Sequence, residues 1–470
     1  MKEKLKNVTL LILFISFLLQ VGNMMLNLRS DTPQEVKSQK KWIEKENDLI
    51  KFIYPQSYLI NFEGNFHVKK YKDKDLLNQM FEEFVKQINY EKISSSSISE
   101  IYDRSNKNYL YFNLPIEMNL KRLYDLFDKD DQNLDKDIKI NDVYIYDDNQ
   151  AILKNKEDVY KVTNIKIKNF TKIFNQYNEP LIQYNTVESI YSLKEKIEDT
   201  RPNFYPNHEV IPRNKFVGIP IINVVNEINL KSDKISEYVK KVLGDNFVKK
   251  VKDYNDSLIY MVNYGKRALK FDKNGSLEYK EKITQEYENL SFKEGLDKSL
   301  NAIKTLGEIP LTTYLTKYET YKKEDITYQR YSFNYSISGY EIKFNKSPIV
   351  VELNGDNVVF IKRNLKKFIG SEDVRKVWES SMSINQVLNK NMESFKNNYF
   401  YYNDNEYLTL DNYIYHILQD INSLELKYYY LDNKEDKKLI PVWELKIKDI
   451  TYLINIYNGE IMSVINEGVK

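Results

Sequence analysis

The residue types that could do chemistry are few in this 470-residue chain, and their spacing argues against catalysis. Cysteine is absent, which removes disulfides, thiolate metal sites, a cysteine nucleophile and lipoprotein attachment at once. The three histidines, His67, His208 and His416, lie far apart, and none stands in a metal-ligand spacing. The segment Asp128–Asp142, DKDDQNLDKDIKIND, resembles a calcium loop: with Asp131 first, Asn133, Asp135 and Asp137 fall at ligand positions. However, Lys136 stands where the tight turn needs glycine, and Asp142 stands where a bidentate glutamate belongs. A solvated acidic loop is the better account. Glu82 and Glu83 are neighbours on an amphipathic pattern and read as solvated charges. No phosphate loop, zinc helix, nucleophile elbow or kinase motif is present. The expectation is a protein that is not an enzyme, with no catalytic, cofactor-binding or metal residues.

The polar residues with the most informative spacing lie in an apolar stretch. Residues 8–28 read VTLLILFISFLLQVGNMMLNL without a charge, long enough to cross the ~30 Å hydrocarbon core as a helix. Twelve residues between Val8 and Leu26 are Leu, Ile, Phe or Val, contributing roughly −4 to −7 kcal/mol to insertion. Lys2, Lys4 and Lys6 precede the stretch, so the positive-inside rule puts residues 1–7 in the cytoplasm and 29–470 outside. Gly22, Asn23 and Met24 offer no small-x-small cleavage site, which favours an uncleaved anchor over a signal peptide. Thr9, Ser16, Gln20, Asn23 and Asn27 recur at helical spacing and form a seam along one face. In lipid such side chains gain by hydrogen-bonding to another helix. Ser16, Gln20, Asn23 and Asn27 are therefore expected to contact a partner helix. The competing account has Ser16 bonding its own backbone and the two asparagines reaching headgroups; Gln20 fits it worst.

Composition bounds the remainder. With 70 basic and 68 acidic residues interspersed, the net charge is +2, and no basic stripe predicts nucleic-acid binding. Tyrosine at 39 and phenylalanine at 22 supply bulk for cores and strands. The predicted class is α+β: a transmembrane helix followed by three extracytoplasmic α+β domains with antiparallel sheets, the last two of related topology. The expected boundaries are a cytoplasmic tail 1–7, the helix 8–28, a spacer 29–47 holding Trp42, and domains over 48–200, 212–364 and 365–470. Trp42 has two equal readings, a membrane-interface residue or a partner contact.

Along the chain, Ser57–Tyr71 alternates as a hairpin around Glu63-Gly64-Asn65, and Asp75–Ile88 carries one apolar helical face. The run Ser94–Ser99 reads as a loop. Strands are expected near 108–115, 142–146 and 159–167, with a helix near 118–127. Pro202, Pro206 and Pro212 mark a connector. Ser232 is the expected N-cap of a helix closed by Gly244, and Ser291–Leu306 reads as a second helix. Asn354-Gly355 and Asn458-Gly459 close two similar hairpins, VVELNGDNVVFI and LINIYNGEIMSV. Helices are expected over 371–379, 383–397 and 409–421, then strands to the end. The run Lys427-Tyr428-Tyr429-Tyr430 reads as strand residues split between two faces, with an aromatic platform for a glycan or peptide as the alternative.

Several of these stretches, in order, resemble the YycH family. They are the apolar N-terminal segment, IYPQSYLINFEGNFHVKKY, YLYFNLPIEMNLKRLYDLF, KINDVYIY, VKKVLGDNFVKKV with LIYMVNYGKRALKFDKNGSLEY, and the YSFNYSISGYEI and IVVELNGDNVVFIKR hairpins. The last stretch, LIPVWELKIKDITYLINIYNGEIMSV, is similar to the closing sheet of YycI and PepSY-type domains. Asn263-Tyr264-Gly265 replaces the family's usual aspartate-glycine, and the apolar segment lacks its common tryptophan near the exit. The resemblance implies a membrane-anchored extracytoplasmic regulator of a WalK-type sensor histidine kinase in cell-wall signalling. Its implied partners are that kinase and a YycI-like membrane protein, with no catalytic residues to carry over. The alternative is a PepSY-like extracellular protease inhibitor or peptide-binding chaperone. A surface enzyme acting on wall polymer would need a cleft of paired carboxylates.

Overall fold

Alternating strands and Asn-Gly turns build most of the molecule. The computed structural model describes residues 48–466 except 65, 72–74, 130–136, 157, 181, 194–208, 214–218, 232, 245–247, 253–255, 372–380, 403–412 and 433–436. The apolar segment 8–28, with Ser16, Gln20, Asn23 and Asn27, and the spacer with Trp42 lie outside the described residues, as do His208, Ser232 and residues 130–136 of the acidic loop. Among the described residues no helix is long and apolar enough to cross a membrane.

The first sheet comprises β1 (Ser57–Phe62), β2 (Phe66–Tyr71), β3 (Ile93–Ser96), β4 (Tyr109–Asn119), β5 (Lys139–Tyr146), β6 (Gln150–Lys154), β7 (Val159–Thr163), β8 (Tyr184–Thr186) and β9 (Val210–Pro212). Its order is β3-β7-β6-β5-β4-β1-β2-β8-β9, antiparallel throughout. One face is covered by α1 (Asp75–Gln87), which buries Leu77, Met80, Phe81, Phe84 and Val85, as its periodicity predicts. Phe81 and Phe84 meet Phe112 of β4 edge-on at 5.5 and 6.1 Å. Two short helices, α2 (Ser99–Asp103) and α3 (Leu120–Leu126), flank β4, and Asn119 caps α3 through Lys121 N. Next come α4 (Phe170–Tyr177) and α5 (Val187–Tyr191).

The expected serine loop is a correction: Ser94–Ser96 run in the edge strand β3, held by backbone pairing to β7. An edge strand needs no alternating apolar face, so periodicity cannot reveal it. The connector is corrected in part, because Pro212 ends β9, which pairs with β8.

The second sheet is branched. Its strands are β10 (Ile222–Asn226), β11 (Lys249–Lys252), β12 (Leu258–Val262), β13 (Arg267–Phe271), β14 (Leu277–Glu281), β15 (Thr313–Lys323), β16 (Ile326–Ile337), β17 (Tyr340–Lys343), β18 (Ile349–Asn354) and β19 (Asn357–Arg363). To these it adds β20 (Lys366–Ser371), β21 (Ile421–Asp432), β22 (Lys437–Ile447), β23 (Ile450–Asn455) and β24 (Ile461–Asn466). The path runs β11-β12-β13-β14-β19-β18-β16-β17-β21-β22-β10-β20, with β15 on β16, and β23 and β24 beyond β22. Ser371 closes a strand, not the expected helix 371–379, whose other residues are not described.

Helix α6 (Lys234–Leu243) buries Ile235, Tyr238, Val239, Val242 and Leu243 before Gly244. α7 (Phe292–Thr305) opens on a reciprocal capping box between Ser291 and Glu294. α7 precedes the antiparallel run β15, β16, β18, β19, while α8 (Ile384–Tyr402) and α9 (Tyr413–Gln419) precede β21 to β24. Strand pairs cross residue 364: β10 pairs with β20 and β22, and β17 lies parallel to β21. All described residues belong to one unit.

Gly295 lets α7 lie against β16. A Cβ there would stand 2.2 Å from the Tyr331 hydroxyl oxygen and 2.9 Å from Cζ. Gly→Ala in a helix ordinarily stabilises by about 1 kcal/mol. Gly295→Ala is expected to reverse that sign and destabilise by roughly 1–3 kcal/mol through overpacking. Tyr331→Phe in the same chain should return part of the loss, read from urea unfolding midpoints.

Candidate ligand cleft between the two sheets

The outward face of the first sheet is unusual for its tyrosines. On β4, Leu110, Phe112 and Leu114 point to the core, so Tyr109, Tyr111 and Asn113 point away. Across the β4–β5 ladder, Tyr109 stands opposite Tyr146, Tyr111 opposite Tyr144, and Asn113 opposite Asp142. The Tyr111 and Tyr144 rings lie 4.7 Å apart, and Tyr109 lies 5.6 Å from Tyr146. Asp142 accepts hydrogen bonds from Tyr111 Oη at 3.0 Å and Asn113 Nδ2 at 2.7 Å. The same row continues through Leu59 of β1 to Lys69 of β2.

The opposite wall comes from the second sheet. Glu425 and Lys427 alternate onto one face of β21, and Glu425 stands opposite Glu444 of β22. Two like charges in register repel, and two lysines offset them. Lys69 Nζ reaches across to Glu425 at 2.6 Å, and Lys427 Nζ lies 2.6 Å from Glu444 and 3.0 Å from Glu341. Lys343 adds a contact to Glu444 at 2.8 Å. The ring of Tyr71 meets that of Tyr340 at 4.6 Å. Between the walls lies a cleft of about 740 Å³.

Burial sets the electrostatics. It works against the Lys69 ammonium, but the carboxylates of Glu425 and Glu209 outweigh it and raise its pKa. Burial also opposes the Glu444 carboxylate, yet Lys427 and Lys343 hold it down at about 2. Glu209, just before β9, behaves oppositely. Burial pushes it up to about 7; Lys69 pulls it down, and Glu425 pushes it up. Burial lifts Tyr71, Tyr111 and Tyr144 well above the ordinary tyrosine value, so their hydroxyls stay protonated. The cleft is thus lined by protonated tyrosines and balanced charges. Among the described residues no group of side chains could hold a metal ion.

The sequence-predicted partner residues Ser16, Gln20, Asn23 and Asn27 lie outside the described residues and are not brought to this site. Of the tyrosine run, Tyr428 and Tyr430 are buried, while Tyr429 packs on the other face against Ile440, Val442 and Leu453. His67 and His416 are both buried. Sequence reasoning missed Lys69, Glu209, Glu425 and Glu444, which come together from distant strands. The alternation of Tyr109, Tyr111 and Asn113 was the one local signal.

Among solved structures, the chain is similar to YycH from Bacillus subtilis. The TM-score is 0.47 at 12% sequence identity, covering 91% of this chain and 98% of that one. The C-terminal domain of YpeB from Bacillus megaterium aligns at a TM-score of 0.27 and 13% identity, covering 51% of this chain and 99% of that domain. No family model matches the sequence, and no curated protein matches it.

Glu209 and Glu444 give opposite pH signatures. Unfolded, Glu209 loses its proton near 4.5; folded, it keeps it to about 7. The folded state therefore binds more protons within that window, and stability falls as pH rises through it, by roughly 3 kcal/mol at most. Glu444 contributes stability that is present above pH 4.5 and lost as pH falls towards about 2. Thermal melting of Glu209→Gln should lose the decline between pH 5 and 7.5; an unchanged slope would remove Glu209 from that role.

Proposed function

We propose that this chain is a membrane-tethered extracytoplasmic regulator that biases a WalK-type sensor histidine kinase, together with a YycI-like membrane partner. The observation that carries the reading is the uncharged stretch 8–28 behind Lys2, Lys4 and Lys6, with its hydrogen-bonding seam. It heads a chain whose later stretches resemble the YycH family in order. The tail 1–7 is then cytoplasmic and the folded residues lie outside the cell. A two-state kinase is biased only by contacts that differ in free energy between its states. Ser16, Gln20, Asn23 and Asn27, each gaining ~0.6 to 2 kcal/mol from a partner helix, are enough to supply such a difference. The ion pair of Lys69 with Glu425 joins the two sheets, which suits a scaffold.

A second reading has one observation in its favour. β24, IMSVIN, is an edge strand without a charged residue, and Val464 and Ile465 are 48% and 38% exposed. Such an edge can accept an added strand, as a PepSY-like inhibitor or peptide-binding chaperone would require. That activity would survive in a fragment released from its anchor, whereas kinase regulation would largely be lost.

Replacing Gln20 and Asn23 together by leucine should lower recovery of the kinase with the purified chain several-fold while leaving the melting of the outer residues unchanged. Undiminished recovery counts against the seam.

A further inference from the structure

The strongest feature outside the cleft is a projecting turn. Between β12 and β13, Asn263, Tyr264 and Gly265 all adopt positive φ, at 50°, 54° and 85°. Left-handed backbone is uncommon for a tyrosine, which packs better almost anywhere else. The turn nevertheless holds the Tyr264 ring outward, 77% exposed.

Lysines stand on the elements that meet at this end of the sheet. Lys266 follows the turn, its N–H bonded to the Asn263 carbonyl at 3.0 Å, and its own carbonyl accepts from Lys282 N at 2.8 Å. Lys249 stands opposite Met261 at the same end of the β11–β12 ladder. Lys240 and Lys241 occupy the last turn of α6, which leads into β11. Lys240, Lys241, Lys249, Lys266 and Lys282 are all exposed. Glu237 stands one turn before Lys240 and Lys241 on α6, while Glu281, beside Lys282, is half-buried and accepts from the Tyr279 hydroxyl at 2.8 Å. The arginine in this corner, Arg267, is buried.

We infer that the Asn263–Lys266 turn, with Tyr264 at its tip and lysines around it, docks on an anionic lipid surface. Three properties select a bilayer over an acidic protein groove. The site is a projection, so it needs a deformable partner and not a socket. Its charges are ammonium groups, which suit a diffuse layer of headgroups; a carboxylate-bearing protein site favours the planar fork of arginine. Tyrosine, with an apolar body and a polar tip, belongs at a membrane interface. The inference rests on the tethered reading above. The 19 residues from 29 to 47 reach at most about 65 Å, which keeps the folded unit beside the bilayer.

The absence of native cysteine permits a direct test on the full chain. Lys282→Cys carrying an environment-sensitive fluorophore would be reconstituted into vesicles of pure phosphatidylcholine or of phosphatidylcholine with phosphatidylglycerol. Flotation with both vesicle types reports the anchor; quenching of the label by brominated lipid reports the docking. The expected result is flotation with both, and quenching several-fold stronger with phosphatidylglycerol. The gain should be lost in high salt, in Lys249→Glu with Lys266→Glu, and in Tyr264→Ala, each checked for unchanged melting. A label that floats but stays equally open to aqueous iodide in both vesicles overturns the docking and leaves the anchor standing. Protection that appears only on adding an acidic protein overturns it too. Failure to float with pure phosphatidylcholine contradicts the tether instead.

Discussion

Arg363 is the side chain on which the second sheet depends. Its guanidinium is fully buried, a state that is stable only when every donor finds a partner. Glu227 takes it at 2.8 and 3.0 Å, and the carbonyls of Glu308 and Ile303 accept at 2.7 and 3.4 Å. Those partners come from three places: the end of β10, the turn after α7, and α7 itself. Gly307 makes room, since a Cβ there would stand 2.7 Å from the guanidinium. Glu227 N also bonds the Leu365 carbonyl at 3.1 Å. One buried cation thus fixes where β19, α7 and the β10–β20 pair meet. Losing one partner of such a pair costs about 3–5 kcal/mol, mostly because the other charge stays buried and alone.

The same logic recurs between the sheets. Lys69 of β2 pairs with Glu425 of β21 across the gap, while Lys427 with Glu341 and Glu444 balances charge within the second sheet, all where greasy side chains would bury more comfortably. Ring contacts accompany them: Phe52 against Phe333 edge-on at 6.4 Å, and the Arg122 guanidinium in a cation–π contact over Tyr318 at 4.8 Å. Ring packing supplies adhesion, and the Lys69–Glu425 pair fixes one orientation, because a shifted register would strand a charge.

Local patterns were legible and distant ones were not. The apolar face of α1, the span of α7 and the Asn-Gly hairpins follow from periodicity and turn chemistry, and their bounds fall within a few residues of expectation. β15, TYLTKYETYKK, was missed because its outer half is charged and exposed, as an edge strand tolerates. β10 and β20 were missed because each is short and has meaning only when paired with the other. The cleft was illegible for a stronger reason. Lys69 and Glu425 are 356 residues apart, and nothing around either residue announces the other. What marked Glu209 is its burial, which appears only once β9 has joined the sheet edge.

The central claim is that the folded residues work while held at a membrane by the head of the chain. It is tested most directly by fractionating cells that make the full-length protein and measuring its intact mass. The account predicts a membrane-bound chain that withstands salt and alkaline washing and retains residues 1–28. A soluble form in the medium, shortened after Met24 or close to it, would contradict the account.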